Sequence, residues 1–303
     1  MDGIIGVYKP KGMTSHDVVF KLRKILRMKK IGHAGTLDPN VDGVLPVALG
    51  RGTKTIEFLQ AAGKTYTGSV TLGFATETED LDGAVVETKP VLRPVASAQI
   101  QAEMTKLTGT ITQVPPMYSA VKVNGRRLYQ YARAGETVER PKRQAEIYQF
   151  EIVGMPEYDA LQQTQTFQFR AVVSKGTYIR TLAVDLGRAL GYPAVMSQLT
   201  REQSGGFTLA DTHTLEEFAE RMQLADDLGD WLEPIDYALK DLPHFTLSAA
   251  QWGEVKDGKG LSASDVPKTA AQLVYVYAGE VKSVVAWNAE KNQYRPYRTF
   301  KIH

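Results

Sequence analysis

Between residues 30 and 55 the chain reads KIGHAGTLDPNVDGVLPVALGRGTKT, with five glycines and two prolines. Glycine loses the most backbone freedom in a helix interior, and proline cannot donate to a sheet ladder. The stretch therefore predicts neither a helix nor a central strand, but a structured loop system around a short apolar run. The preceding residues offer it a support. GIIGVYKPKG reads as a short apolar strand ending at a Lys-Pro-Lys-Gly turn. Ser15 is the expected N-cap of a helix in which Val18, Val19, Leu22, Ile25 and Leu26 share one face. Lys21, Arg23, Lys24 and Arg27 occupy the rest, so one face packs and the other is basic.

Further along, TYTGSVTLGF alternates as a strand does, and ATETEDLDG is an acidic turn. Residues 97–108, with Ile100, Met104 and Leu107, fit a helix. Residues 115–143 open with Pro-Pro, close with a basic run and carry no long apolar face. They read as an excursion able to close over a ligand. Strands are expected at 146–153 and 165–174, and a helix at about 178–190. From about residue 236 short strands such as LVYVYA and VKSVVAW dominate. The expected division is a larger domain at 1–235 and a small β-rich domain at 236–303.

The net charge of +2 hides an uneven distribution. Residues 1–54 hold ten Lys/Arg against four Asp/Glu, and residues 119–143 hold seven against two. Residues 212–241 reverse this, with nine acidic against two basic. Two basic blocks punctuated by glycine and aromatic residues suit a polyanion such as nucleic acid held on one face.

Several chemistries lack their residues. There is no cysteine, which removes disulfides, thiolate catalysis and cysteine-ligated metals. GRGTKT at 50–55 does not match a phosphate-binding P-loop, and no Gly-x-Gly-x-x-Gly follows a strand. His16, His33, His213, His244 and His303 form no paired ligand motif, and no Gly-x-Ser-x-Gly elbow occurs. No cofactor and no metal are expected. The opening residues lack a basic segment followed by a long apolar run, and no stretch approaches the roughly 18 apolar residues of a membrane span. A cytoplasmic protein without membrane attachment is expected.

Carboxylates remain, and Asp38 in GHAGTLDPN stands out. Asp-Pro alone is a turn starter. Here His33 lies five residues before it, glycines permit close approach of a large ligand, and basic segments flank both sides.

These segments, with others, resemble the tRNA pseudouridine-55 synthase family over about residues 3–207. The motifs are YKPKGMTSHDVV at 8–19, KIGHAGTLDP at 30–39, GVLPVALGRGTK at 43–54 and KTYTG at 64–68. PPMYSAVKVNGRRLYQYAR at 115–133, SKGTYIRTLAVDLG at 174–187 and LTREQSGGF at 199–207 complete them in order. Asp42 stands where the family often has a small residue, and Glu77 where Asp is commoner. The resemblance implies an α+β catalytic domain on a mixed, mostly antiparallel sheet. It implies, more loosely, a PUA-like RNA-binding domain at the C-terminus.

The implied activity is isomerisation of uridine to pseudouridine in the T-arm loop of tRNA. The N-glycosidic bond breaks, the uracil turns and rejoins through carbon, with no redox step and nothing added. A carboxylate suits this as nucleophile or as stabiliser of a cation at the sugar. Burial would raise its pKa, so a fixed positive charge is wanted beside it. By resemblance Asp38 is the catalytic carboxylate, Arg180 its partner, and Tyr66 the active-site tyrosine that stacks on the base and handles a proton. His33 helps hold the flipped-out base, Tyr178 and Leu199 line the uridine pocket, and Asp80 joins the substrate-binding set. Lys9, with Pro10, supports the active-site loop.

Because the uridine lies inside a folded RNA loop, it must be extruded. The 115–143 insertion would clamp the T-arm, with Arg126, Arg127, Arg133, Arg140, Lys142 and Arg143 toward phosphates and Tyr118, Tyr129 and Tyr131 packing or stacking. No obligatory protein partner is expected, and a monomer suffices. Two rivals remain on the sequence: an RNA-binding protein of the same fold without catalysis, and a carboxylate glycosidase acting on free nucleosides.

Overall fold

The computed structural model describes residues 1–266 and 270–300. Its centre is a nine-stranded sheet. Seven strands run in the order Gly3–Lys9, Asp42–Leu49, Ala194–Ser204, Lys64–Leu72, Thr164–Val173, Arg143–Asp159, Gly109–Gln113. Ile31–His33 adds to Asp42–Leu49, and Phe207–Thr208 to Ala194–Ser204. Every pairing is antiparallel except the short parallel contact of Thr200 and Arg201 with Asp42 and Gly43. The mixed, mostly antiparallel α+β architecture is thus as expected. At the parallel contact Gly43 has φ +108°, and a Cβ there would collide with the Arg201 backbone. Only glycine lets these two strands meet.

Two apolar clusters fix the sheet. In one, Ile179, Leu182 and Leu186 of the Ile179–Ala189 helix and Ile100 and Met104 of the Ser97–Lys106 helix pack on Val70, Phe167, Phe169 and Met196. In the other, Val18, Val19 and Leu22 of the Ser15–Ile25 helix pack with Phe218 of the Leu215–Ala225 helix against Ile5, Val7, Leu45 and Val47. A second, five-stranded sheet lies beyond residue 243, in the order His244–Thr246, Gln272–Tyr277, Glu280–Asn288, Gln293–Thr299, Leu261–Ser262.

Three local readings need correction. Asp42–Leu49 is an inner strand despite Pro46. The Pro46 carbonyl accepts from Ala34 N at 2.8 Å. N and O of one strand residue point the same way, so the missing N–H faces that side, past the end of the Ile31–His33 pairing, and the ladder to Gly3–Lys9 loses nothing. The helix N-cap is Thr14, not Ser15. Thr14 Oγ1 accepts from Asp17 N at 3.1 Å while the Asp17 carboxylate accepts from Thr14 N at 2.9 Å. Finally, the strand expected at 146–153 runs over Arg143–Asp159.

Within residues 115–143, Lys122–Val123 and Arg126–Arg127 form a two-stranded hairpin closed by Asn124 and Gly125, both at positive φ. A short helix, Leu128–Arg133, follows.

Candidate active site

Alternate side chains of a strand share a face. Lys64 and Tyr66 therefore point one way from Lys64–Leu72, and Leu199 and Arg201 do so from the adjacent strand, where Tyr66 pairs with Arg201 and Gly68 with Leu199. All four side chains line one cavity of about 570 Å³.

Asp38 enters this cavity from the loop between Ile31–His33 and Asp42–Leu49. The loop is held on both sides of it. Ser15 Oγ accepts from Leu37 N at 2.9 Å and lies 3.3 Å from Leu37 O. Lys9, 0% exposed, donates through Nζ to Pro39 O at 3.1 Å, Val41 O at 2.6 Å and Pro10 O at 2.9 Å. Burial pushes the Lys9 ammonium down to about 8, against the pull of Asp42 and Asp38. Two of these carbonyls, Pro39 O and Val41 O, lie in the loop just after Asp38.

Arg180 is the second residue of its helix. The helix start is bracketed by buried Gln113, whose side chain accepts from Tyr178 N at 2.9 Å and donates to Tyr178 O at 3.2 Å. Arg180 Nη1 donates to Thr78 O and Nη2 to Tyr118 O, each at 2.9 Å. Nη2 also meets Asp38 Oδ2 at 3.0 Å, and Nε lies 3.9 Å from Asp80 Oδ2. The Arg180 side chain is 7% exposed and that of Asp38 41%. Asp38 thus opens onto the cavity while the walls around it strip away bulk water. That desolvation raises its pKa above the ordinary carboxylate value, Arg180 opposes the rise, and Asp80 adds to it. The result is a carboxyl more basic than a surface aspartate, paired to a fixed cation.

Tyr66, Tyr178 and Leu199 line the cavity with Asp38 and Arg180. Burial raises the Tyr178 phenol above its ordinary value. Asp80 reaches Arg180 and not the cavity: its Oδ1 accepts from Thr78 Oγ1 at 2.5 Å and Asp82 N at 3.0 Å. His33 ends its short strand opposite Val47 and lies outside the cavity lining. Burial lowers its pKa, and Nδ1 has no hydrogen-bond partner among the described residues.

The insertion residues divide. Arg143 lines the cavity itself. Arg126 is engaged within the hairpin, 2.8 Å from Glu136 and 4.3 Å over the Tyr131 ring. Arg127 is exposed, with its guanidinium 5.9 Å from the Tyr129 ring, and Lys142 is exposed. Arg140 donates to Pro115 O at 3.1 Å. Gln113, Lys64, Lys175 and Arg201 are not among the site residues expected from the sequence. The last three lie inside the resembling motifs or at their edges, so the motifs could have named them. Gln113 precedes its motif by two residues and gave no signal.

A model of the N-terminal domain of TruB family pseudouridylate synthases matches residues 23–179. The chain belongs to the TruB family. A model of the tRNA pseudouridylate synthase B C-terminal domain matches residues 180–240. A TruB-type relative from Levilactobacillus brevis, tRNA pseudouridine synthase B, is 55% identical with all of both chains covered. One of the same description from Lactiplantibacillus plantarum is 50% identical, again over all of both. The fold is similar to that of a solved Cbf5-Nop10-Gar1 complex, at 26% identity and TM-score 0.74, covering 99% of this chain and 85% of the other. Within this TruB chain, the cavity joins residues from five separated motifs around one carboxylate. No helix among the described residues is long and apolar enough to cross a membrane.

Proposed function

We propose that the chain isomerises uridine 55 in the T-arm loop of tRNA to pseudouridine, with Asp38 as the carboxylate that acts at the sugar. The N1–C1′ bond breaks, the uracil turns, and C5 bonds to C1′; C5 gives up its hydrogen and N1 ends with one. Atoms and electrons balance without any co-reactant. The observation that carries the reading is the Asp38–Arg180 pair opening onto a cavity that Tyr66 and Leu199 also line. Family membership and the 50–55% identity to tRNA pseudouridine synthases B support the reaction and the RNA class.

Arg180 keeps Asp38 ionisable despite desolvation. Tyr66 offers a ring for the extruded base and a hydroxyl for proton movement; Tyr178 and Leu199 bound the base, and His33 helps to hold it flipped. Asp80 acts through Arg180. Residues 1–235 form the catalytic domain, the 115–143 insertion clamps the T-arm, and residues 236–303 form a PUA-like RNA-binding domain. The enzyme works as a cytoplasmic monomer without cofactor or obligatory protein partner.

The test is tritium release from tRNA carrying [5-³H]uridine, with pseudouridine measured at position 55. The wild type should release tritium and form pseudouridine, and Asp38→Asn should do neither while still binding tRNA. Binding without release by the wild type would mark a pure RNA binder. Free uracil in solution would mark a glycosidase.

A further inference from the structure

The cavity holds more positive charge than the reaction uses. Lys64, Arg143, Lys175, Arg180 and Arg201 line it, against one acid, Asp38. Arg180 and Asp38 offset each other, which leaves four cations facing one space. All four, Lys64, Arg143, Lys175 and Arg201, have no carboxylate within 4.0 Å among the described residues.

Two of these are buried. Arg201 is 1% exposed and donates only to backbone carbonyls: Nε to Val44 at 2.8 Å, Nη1 to Thr36 at 3.5 Å and Nη2 to Gly35 at 3.3 Å. A guanidinium has five N–H groups, so two remain. Lys64 is 8% exposed and donates to Gln60 O at 3.1 Å and Ala62 O at 3.2 Å, which leaves its third N–H. Both cations converge on Gly35. A Cβ built there would lie 3.5 Å from Arg201 Nη1 and 3.7 Å from Lys64 Cε. Buried like charges side by side are costly unless something negative joins them. The cost shows on Lys64, whose ammonium is pressed down to about 8 by burial first and then by Arg201 and Lys175.

We propose that Lys64 and Lys175, backed by buried Arg201, form an anion subsite that seats a phosphodiester flanking the extruded uridine. The inference rests on the proposed function, since a nucleotide in this cavity brings a phosphate on each side of its sugar. Lys64 shares a strand face with Tyr66, two residues on, so a base against Tyr66 leaves its backbone within reach of Lys64. The division of labour follows: Arg180 serves the reacting carboxylate, and Lys64 serves the RNA backbone.

The test is a double-mutant cycle with a T-arm stem-loop RNA. Neutral methylphosphonates replace the phosphodiester 5′ or 3′ of the target uridine, one at a time. Lys64→Met and the matching methylphosphonate should each weaken binding about tenfold, and together little more than either alone. Lys64→Arg should restore most of the binding to unmodified RNA. Lys175→Ala, at an exposed position, should show the same coupling more weakly and guards against a folding defect in Lys64→Met. Additive losses for both phosphate positions with both variants would overturn the subsite. Failure of the wild type to form pseudouridine in the unmodified stem-loop would instead overturn the functional reading, and the binding cycle is read separately from it.

Discussion

Replacing Arg180 with methionine keeps much of the side-chain volume and removes the charge that faces Asp38. The guanidinium nitrogen and carboxylate oxygen are 3.0 Å apart, which puts the charge centres at about 4 Å. At an effective dielectric of about 20 that pair is worth roughly 4 kcal/mol, or about three pKa units. The Asp38 side chain is 41% exposed, so water in the cavity screens the pair and about 1–2 units is the working expectation. The sign is fixed. Desolvation and Asp80 already raise the Asp38 pKa, and Arg180 is the largest influence opposing them. Without it the acidic limb of the rate profile should move to higher pH, because the proposed reaction uses the ionised Asp38 carboxylate.

Single-turnover tritium release at saturating enzyme, from pH 5 to 9, isolates the chemical step. Two components should separate. The midpoint should rise by about 1–2 units. The plateau above it should also fall, because Arg180 ties Thr78 O and Tyr118 O to the helix start and these bonds go with it. Adding Asp80→Asn should pull the midpoint partly back by removing the repelling acid. A lowered plateau with an unmoved midpoint would refute the electrostatic role and leave Arg180 as a brace.

Asp38→Asn should lose turnover by at least about 10⁴-fold with tRNA affinity nearly unchanged, measured by single-turnover assay and filter binding; appreciable residual turnover would remove it as the catalytic group. Tyr66→Phe keeps the ring in the cavity and should slow the chemical step by roughly 10²–10⁴ with little change in binding. A wild-type rate would confine Tyr66 to packing. Neutralising exposed Arg127 and Lys142 together should lower the log–log salt slope of tRNA binding by about 1.4, at about 0.7 per phosphate contact, without slowing bound tRNA. An unchanged slope would leave the basic helix at Lys21, Lys24 and Arg27 as the better RNA contact. Ser15→Ala leaves Leu37 N unpaired in a buried place and should cost about 1–3 kcal/mol in thermal unfolding while lowering turnover through the Asp38 loop. Unaltered stability and rate would show that the loop holds itself.

Local sequence rules hold in this chain where they coincide with tertiary need. The apolar repeat at Val18, Val19 and Leu22 is the packed face of its helix, and the alternation after Lys64 is a central strand. They give way where a long-range partner overrides them. Pro46 stands in an inner strand because its nitrogen points where no ladder bond is needed, a fact visible only once Ala34 is beside it. Ser15 looks like an N-cap, yet its hydroxyl is spent on Leu37, 22 residues away, and Thr14 caps instead.

The same contrast runs through the site. Asp38, Tyr66 and Arg180 were legible through motifs, whereas their mutual distances depend on residues with no chemical signature. Gln113 sets the start of the Arg180 helix through two backbone bonds, and Lys9 spends its charge on three carbonyls around the Asp38 loop. A lysine and a glutamine buried for their geometry look, in sequence, like surface residues. Arg126 shows the reverse pattern. Its type and its basic neighbourhood suggest a phosphate contact, but Glu136 and the Tyr131 ring already engage it. Residue type proposes a chemistry, and the partners a residue already has decide whether it is free to perform it. By that criterion the cations left for RNA include Arg127 and Lys142 outside the cavity and Lys64, Arg143 and Lys175 within it.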